Sequence, residues 1–393
     1  MSDKQEKQSV EIYKRIDYSI IIATIFIVAF GLLILYSSIE NMDGLKSQAG
    51  YVVAGIFVML GVQFVPYKVI AVFKGWWYLF SFGALALLMV PSLKSEALGA
   101  TRWIVIAGIT IQITEVVKAF MIFFLAYYLS THVIEVQKPE GVFRVWLMVG
   151  VASAAVLLIG SNLSSCLILL MITFSMTFIL SKVNWLHGAA IAVVVIAVLA
   201  LCTYYLNHLP TQDELVEIER KSYQLARVIA WLAPENYTGN NSFQVLQGLY
   251  AIGSGGFWGK GLGESAQRRI LPEVQNDMIV CVLAEELGIF GVVLLVILYL
   301  YLLYHIYLVA KKTKNMFGKL LCMGILFYFS FQVLINMAVA TGSIPNTGVA
   351  LPFVSSGGTS TLINFGLVGL VLSVYKHEMN PLSERDLKKI RQN

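Results

Sequence analysis

The acidic residues with the clearest chemical potential stand at the start of one long apolar run. Asp277, Glu285 and Glu286 open the run 278–310, and Glu273 lies four residues before Asp277. A charge within a membrane span is costly, so such a residue is a functional candidate. A carboxylate at this place could take a proton from an attacking hydroxyl as a general base. The structural alternatives are a helix N-cap for Asp277 and, for the two glutamates, a pair that binds donors from neighbouring helices.

Basic residues that could bind an anion lie beside another apolar run. Glu115 and Lys118 are three residues apart at the start of the run 115–131, so they share one helix face. Arg102 precedes them in the loop before this run. Guanidinium and ammonium groups suit the phosphates of a lipid-linked diphosphate. The structural alternative is a local ion pair between Glu115 and Lys118.

These few charges interrupt a chain that is otherwise apolar. Of its 393 residues, 58% are apolar and 13% are charged, and the net charge is +5. A soluble domain is roughly 45–50% apolar and about 25% charged. The composition therefore excludes a disordered chain, a nucleic-acid-binding arm and an ordinary soluble enzyme. The four cysteines are too sparse for a disulfide scaffold and have no metal-ligand spacing, so the sequence specifies no metal site.

Apolar runs long enough to cross a bilayer recur along the whole chain. We predict an all-α polytopic membrane protein of about ten transmembrane helices. The eighth run is too long for one straight crossing, so we expect a lead-in from Asp277 to Glu286 and a span from Gly288 to Ala310. The predicted spans are 18–38, 50–67, 75–93, 115–131, 144–160, 162–181, 186–207, 278–310, 319–342 and 358–376.

The distribution of basic residues predicts the orientation in the membrane. With ten spans both termini lie on one side, and 18 of the 28 Lys and Arg residues lie on that side. We therefore expect a multi-pass protein of the cytoplasmic membrane with both termini in the cytoplasm and a large extracytoplasmic loop between helices 7 and 8. The predicted divisions are a cytoplasmic segment 1–17, a single transmembrane domain 18–376 that includes the large loop 208–277, and a cytoplasmic tail 377–393.

The large loop has helical patterns of its own. Residues 215–233 predict an amphipathic helix that lies on the membrane or on the bundle, and residues 242–252 repeat the pattern more weakly. The glycine-rich stretch 253–263 lacks the residues of a phosphate-binding P-loop. We expect it to form a tight turn packed against the lipid surface.

A carboxylate and basic groups at the outer boundary of an apolar bundle suit a substrate with a lipid tail and an anionic phosphate head. Four ordered segments also resemble the shape, elongation, division and sporulation family. They contain GATRWI followed by Glu115 and Lys118, and GSGG and LPE followed by Asp277 and EELG. The segments are 99–118, 223–235, 243–291 and 336–360. Val-Ala-Thr-Gly at 339–342 resembles the FtsW and SpoVE branch more than the RodA branch.

The resemblance implies a peptidoglycan glycosyltransferase that polymerises lipid II, the undecaprenyl-diphosphate-linked disaccharide peptide, during cell division or cell-shape maintenance. It implies a class B penicillin-binding protein and membrane lipids as partners, and no nucleic acid. Asp277 matches the family's essential aspartate and takes the catalytic role. The basic candidates would stabilise the diphosphate, and a divalent cation could share this task, although the sequence specifies no cofactor. The predicted substrate-binding residues are Lys118, Glu115, Arg102, Arg227 and Glu273.

Two segments depart from the family pattern. Asn162 stands where the family has an Asp at the start of the sixth span, and Gln275 and Asn276 stand where it often has His-Thr. Two alternative functions stay open, and these departures support only the second of them. One is a flippase of lipid-linked peptidoglycan precursors, which would use the same lipid contacts without chemistry. The other is a non-catalytic scaffold that activates the penicillin-binding protein.

Overall fold

Apolar helices make up most of the chain. The computed structural model describes residues 2–38, 42–90, 94–97, 100–106, 109–237, 240–271 and 274–379. Within these ranges nine helices have the length and composition of membrane spans. In chain order the helices are α1 (Ser2–Ser38), α2 (Met42–Val62), α3 (Lys68–Val72), α4 (Trp76–Leu87), α5 (Ile113–Thr131), α6 (Val133–Val136), α7 (Pro139–Gly160), α8 (Leu163–Leu180), α9 (Asn184–Asn207), α10 (Gln212–Lys221), α11 (Tyr223–Leu232), α12 (Asn240–Gly255), α13 (Ile279–Lys312), α14 (Met316–Ala340) and α15 (Gly358–Met379).

The predicted helical membrane architecture is confirmed, with one span shorter than expected. The third predicted span, 75–93, corresponds to α4, an apolar helix of 12 residues. At 1.5 Å per residue such a helix covers about 18 Å, less than the roughly 30 Å of a hydrocarbon core. Its start is fixed by a turn at Lys74, whose φ of 49° ends the preceding helical geometry.

A small sheet, absent from the prediction, precedes α5. Strands β1 (Lys94–Ala97), β2 (Ala100–Ile106) and β3 (Ile109–Gln112) form an antiparallel meander in the order β1-β2-β3. The β2–β3 register pairs Trp103 with Gln112 and Ile106 with Ile109. The β-branched residues of these strands favour extended structure, and β3 leads directly into α5.

Helices α5, α14 and α15 lie at the centre of the bundle. In the apolar 18-residue stretches of α5 and α15, 72% of the residues are buried, whereas in that of α9 none is. Helix α14 packs against α5, α8, α13 and α15. Polar side chains on these central helices therefore lie among protein atoms, while α9 presents an apolar surface at the edge.

Helix α13 bends where the sequence predicts the junction between a lead-in and a span. Gly288 has a φ of 64° and a ψ of −162° inside the helix. The glycine-rich turn docks at this bend, since Ile289 N donates to Gly256 O at 3.1 Å. A Cβ on Gly288 would lie 2.4 Å from the carbonyl oxygen of Phe257. The predicted tight turn is confirmed, but it packs against α13, and its side chains Phe257 and Trp258 are exposed.

The long segment between α9 and α13 contains three helices. The predicted amphipathic helix 215–233 is divided into α10 and α11 because Ser222 adopts an extended conformation and caps α11 by accepting from Leu225 N. The weaker pattern at 242–252 lies within α12. Helices α11 and α12 pack on each other and contact the bundle through α9, α13 and α14.

Candidate functional site

Three polar residues follow one face of the otherwise apolar helix α14. Tyr328, Gln332 and Asn336 are four residues apart, so they form a stripe about 12 Å long. Their exposed fractions are 0%, 2% and 0%. Polar residues buried in a membrane helix are expensive and are typical of functional sites. This stripe, the α14 polar face, is the axis of the candidate site.

At one end of the α14 polar face lies a buried ion pair. Lys118 Nζ is 2.6 Å from Glu115 Oε1, and the two side chains are 2% and 9% exposed. The hydroxyl of Tyr328 donates to Glu115 Oε2 at 2.9 Å and lies 2.9 Å from Asn364 Oδ1. Lys118 Nζ is also 5.3 Å from the centre of the Tyr328 ring. The predicted contact between Glu115 and Lys118 is confirmed, and hydrogen bonds compensate part of its desolvation.

At the other end of the α14 polar face lies the turn that contains Asp277. Asn336 Nδ2 donates to the Asp277 carbonyl at 3.0 Å, Ser355 Oγ donates to the Asn276 carbonyl, and Ser356 N donates to the Gln275 carbonyl at 2.8 Å. Three consecutive carbonyls are thus bound by α14 and by the loop before α15. The Asp277 side chain is 6% exposed.

The N-cap alternative for Asp277 does not hold. Helix α13 begins at Ile279, and its N-cap is Met278, which makes no side-chain capping bond. Asp277 lies one residue too early for the capping role, since a capping side chain bonds the N–H groups of the first helical turn. Asp277 is therefore a buried acidic residue that does not occupy the N-cap position of α13.

Arg227 lies in a cleft formed by α11, the start of α8 and the loop that follows α14. Its guanidinium donates to the Asn346 carbonyl at 3.1 Å and to the Tyr223 hydroxyl at 2.7 Å, and it stacks 4.4 Å from the Tyr223 ring. The cleft is small, with a free volume of about 40 Å³, and is partly open to the surface. Its lining residues are Leu163, Ser164, Tyr223, Gln224, Arg227, Val228, Pro345, Asn346 and Thr347. A fixed guanidinium in an open cleft is suited to binding an anionic group.

Asn162 connects the cleft to the ion pair. Its Oδ1 caps α8 by accepting from Ser165 N at 3.0 Å, and its Nδ2 donates to Thr114 Oγ1 at 3.2 Å. Thr114 directly precedes Glu115 in α5. Ser164, two residues after Asn162, donates to the Thr347 carbonyl in the cleft wall. The neutral side chain thus supplies both a helix cap and a link between α8 and α5.

The two glutamates of α13 have the structural role that the sequence analysis offered as an alternative. Glu285 accepts from Lys260 Nζ at 2.5 Å, Ser265 Oγ at 2.5 Å and Gln267 N at 3.1 Å. Glu286 accepts from the hydroxyl of Ser37 on α1. Both are fully buried. They fasten the glycine-rich turn and α1 to the first turns of α13.

The predicted site residues fall into different environments. Lys118 and Glu115 form one pair, Arg227 lines the cleft, and Asp277 lies on the turn before α13. Arg102 lies on β2, and its side chain is outside the described residues, as is Glu273. Within the described ranges no three His, Cys, Asp or Glu side chains form a metal-binding group. This finding does not test the prediction of a divalent cation that arrives with the substrate.

The α14 polar face was not predicted from the sequence as part of the site. A signal existed, because Tyr328, Gln332 and Asn336 repeat every four residues in an apolar run. Their partners lie far away in sequence, on α5 and beside α13. Periodicity alone marks a polar stripe, whereas only the packing shows what it binds.

Comparisons with known proteins identify the family of this chain. The sequence model of the FtsW, RodA and SpoVE family, described as a cell cycle protein, matches residues 17–380. A probable peptidoglycan glycosyltransferase FtsW from Geobacter sp. (strain M18) is 33% identical over 373 residues, which cover 91% of this chain and 96% of the relative. Another from Coxiella burnetii is 31% identical over 374 residues, which cover 91% of this chain and 95% of the relative.

Solved structures share the fold. A chain of a peptidoglycan synthase complex that coordinates polymerization and crosslinking has a TM-score of 0.75 and 25% identity, covering 92% of this chain and 98% of that one. The rod shape determining protein RodA of Thermus thermophilus has a TM-score of 0.62 and 24% identity, covering 92% and 97%. The chain belongs to the FtsW, RodA and SpoVE family of multi-pass membrane proteins, as the sequence resemblance implied, and its relatives lie on the FtsW branch.

Proposed function

We propose that this protein polymerises lipid II into glycan strands at the outer face of the cytoplasmic membrane. Its class is peptidoglycan glycosyltransferase, the class named for its FtsW relatives. The observation that carries the proposal for this chain is the buried Asp277. Its turn is held by three consecutive carbonyl hydrogen bonds at the end of the α14 polar face.

In the proposed reaction Asp277 is the general base. The C4 hydroxyl of one lipid II attacks the anomeric carbon of the growing chain, and its proton passes to the Asp277 carboxylate. The bond from the anomeric carbon to the diphosphate oxygen breaks, and polyprenyl diphosphate leaves with the electron pair. A single displacement of this kind inverts the anomeric centre.

Basic side chains stabilise the leaving diphosphate in this proposal. Arg227 is the candidate that the geometry supports best, because its guanidinium is held in place inside an open cleft. Lys118 acts from the buried pair with Glu115, and Arg102 acts from β2. Glu273 completes the predicted substrate-binding set. A divalent cation that arrives with the diphosphate is a further candidate, and chelation of the assay buffer tests it.

The proposal includes a topology and a partner. Both termini face the cytoplasm, the domain 18–376 spans the membrane, and the segment 208–277 lies outside, as the basic residues indicate. A class B penicillin-binding protein cross-links the product. Similarity to a chain of a peptidoglycan synthase complex supports this partner. The apolar surface of α9 is suited to contact with membrane lipids.

One experiment separates polymerisation from the alternatives. The purified protein is placed in vesicles with its penicillin-binding partner and fluorescent lipid II, and both glycan chains and lipid translocation are measured. We expect chains longer than the substrate, and their loss in Asp277→Asn. Asp43→Asn, an exposed Asp on α2, is the matched control. Translocation without polymer would favour a flippase, and activation of the partner without either product would favour a scaffold.

A further inference from the structure

We propose that Asn336 is a positioning residue for glycosyl transfer. Its side-chain amide fixes the main chain of Asp277 against the loop before α15 and so sets the place of the carboxylate. This inference rests on the proposed function, in which Asp277 is the general base.

The amide of Asn336 bridges two separate segments. Its Nδ2 donates to the Asp277 carbonyl at 3.0 Å and to the Val349 carbonyl at 2.7 Å. A primary amide has two N–H donors, so both are used. Because both neighbours are carbonyl oxygens, the opposite amide orientation would bring three acceptors together, and the observed orientation is the favourable one. One side chain thus connects the Asp277 turn to Val349.

Asn336 differs from the other donors to this turn in its support. Ser355 and Ser356 bind the carbonyls of Asn276 and Gln275 from the loop. Asn336 lies on α14, a central helix packed on five other helices, and the residue is 0% exposed. It therefore connects the turn to a helix at the centre of the bundle. A displacement of about 1 Å at a reacting group can lower a rate by about a hundredfold.

The remaining atom of the amide supports a role beyond packing. Asn336 Oδ1 is buried and accepts no hydrogen bond from any residue in the described part of the chain. A buried acceptor without a partner costs stability. A leucine would fill a similar volume at this place without that cost. The presence of an amide is explained by its two donors, which bind the Asp277 and Val349 carbonyls.

The test compares kinetic parameters of Asn336→Leu and the wild type in vesicles with the penicillin-binding partner and lipid II. We expect kcat to fall by about ten- to a hundredfold, since a misplaced base slows the chemical step. We expect KM for lipid II to stay within about twofold. Ser330→Ala is the control on the same helix, because Ser330 bonds to its own helix at Leu326. Its kcat should match the wild type.

Two further variants separate positioning from stability. Ser355→Ala removes the hydrogen bond from Ser355 to the Asn276 carbonyl in the same turn. We expect kcat to fall by about three- to tenfold with KM unchanged. This variant keeps the test decisive if Asn336→Leu folds poorly. In the Asp277→Asn background, Asn336→Leu should cause no additional loss, because residues that act through one group are not additive. If Asn336 had a purely structural role, Asn336→Leu would lower the thermal midpoint of unfolding. It would then also lower kcat further in the Asp277→Asn background.

The outcomes distinguish the positioning role of Asn336 from the assignment of Asp277 as the general base. If Asn336→Leu and Ser355→Ala keep kcat within twofold while Asp277→Asn abolishes polymerisation, the positioning role is wrong and the proposed base stands. A rise in KM with unchanged kcat also contradicts positioning. If Asp277→Asn itself polymerises lipid II at the wild-type rate, the assignment of the base fails first.

Discussion

Replacing both members of the buried ion pair separates its structural role from its proposed role with the diphosphate. Lys118→Met removes the charge and keeps the length of the side chain. It leaves Glu115, which is 7% exposed, with the hydrogen bond from Tyr328 as its remaining polar contact at that end of the pair. Removal of one partner from a buried pair costs about 3–5 kcal/mol because the other charge is left uncompensated.

The double variant Glu115→Gln/Lys118→Met removes both charges together. Replacing both members of a buried pair with uncharged residues often changes stability little. A Gln at position 115 can still accept the hydrogen bond from the Tyr328 hydroxyl. We therefore expect the double variant to recover most of the 3–5 kcal/mol, about 2 kcal/mol or more. The recovery is measured by thermal and denaturant unfolding in one detergent. The four proteins compared are the wild type, Glu115→Gln, Lys118→Met and the double variant.

Activity should not follow stability in this cycle. If Lys118 stabilises the leaving diphosphate, the double variant stays at least tenfold below the wild type in kcat although it is folded. Polymerisation of lipid II in vesicles provides the readout. A double variant that recovers stability and activity together would refute a role with the substrate and leave Glu115 and Lys118 as a structural pair.

Two other predictions test the cleft and the bend. Arg227→Gln should raise KM for lipid II by about tenfold, equivalent to about 1.4 kcal/mol. The control Arg220→Gln, at an exposed position on α10, should leave KM unchanged. Equal KM values for the two variants would remove Arg227 from the site. Gly288→Ala should lower the free energy of unfolding by about 2 kcal/mol or more, since its φ is positive and a Cβ would meet the carbonyl of Phe257. Gly253→Ala on α12, where a Cβ meets nothing within 4 Å, should be neutral or stabilising, and similar unfolding curves for the two alanine variants would contradict the account of the bend.

Local sequence was sufficient for the features that depend on composition and short spacing. The membrane helices follow from runs of apolar residues, and the contact of Glu115 with Lys118 follows from a spacing of three on a helix. The bend in α13 follows from a run too long to cross once, interrupted by Gly288. Each of these rests on residues a few positions apart, which a periodic pattern can show.

Features that depend on distant residues could not be read in this way. The bond from Asn336 to Asp277 joins residues 59 positions apart, and the bond from Tyr328 to Glu115 joins residues 213 positions apart. The strands β1, β2 and β3 lie in a short segment between apolar runs, where pairing between neighbours decides the structure. The carboxylate was identifiable from the sequence, but the helix that holds its turn was visible only in the fold.

The rate of glycan-chain formation by Asp277→Asn tests the assignment of Asp277 as the general base. The variant is compared with the wild type and Asp43→Asn in the same vesicles, with binding of lipid II measured in parallel. Loss of a general base lowers a rate by about 10²- to 10⁴-fold, so we expect a fall of that size with lipid II binding kept within about twofold. A variant that forms glycan chains within tenfold of the wild-type rate would contradict the assignment of Asp277 as the base.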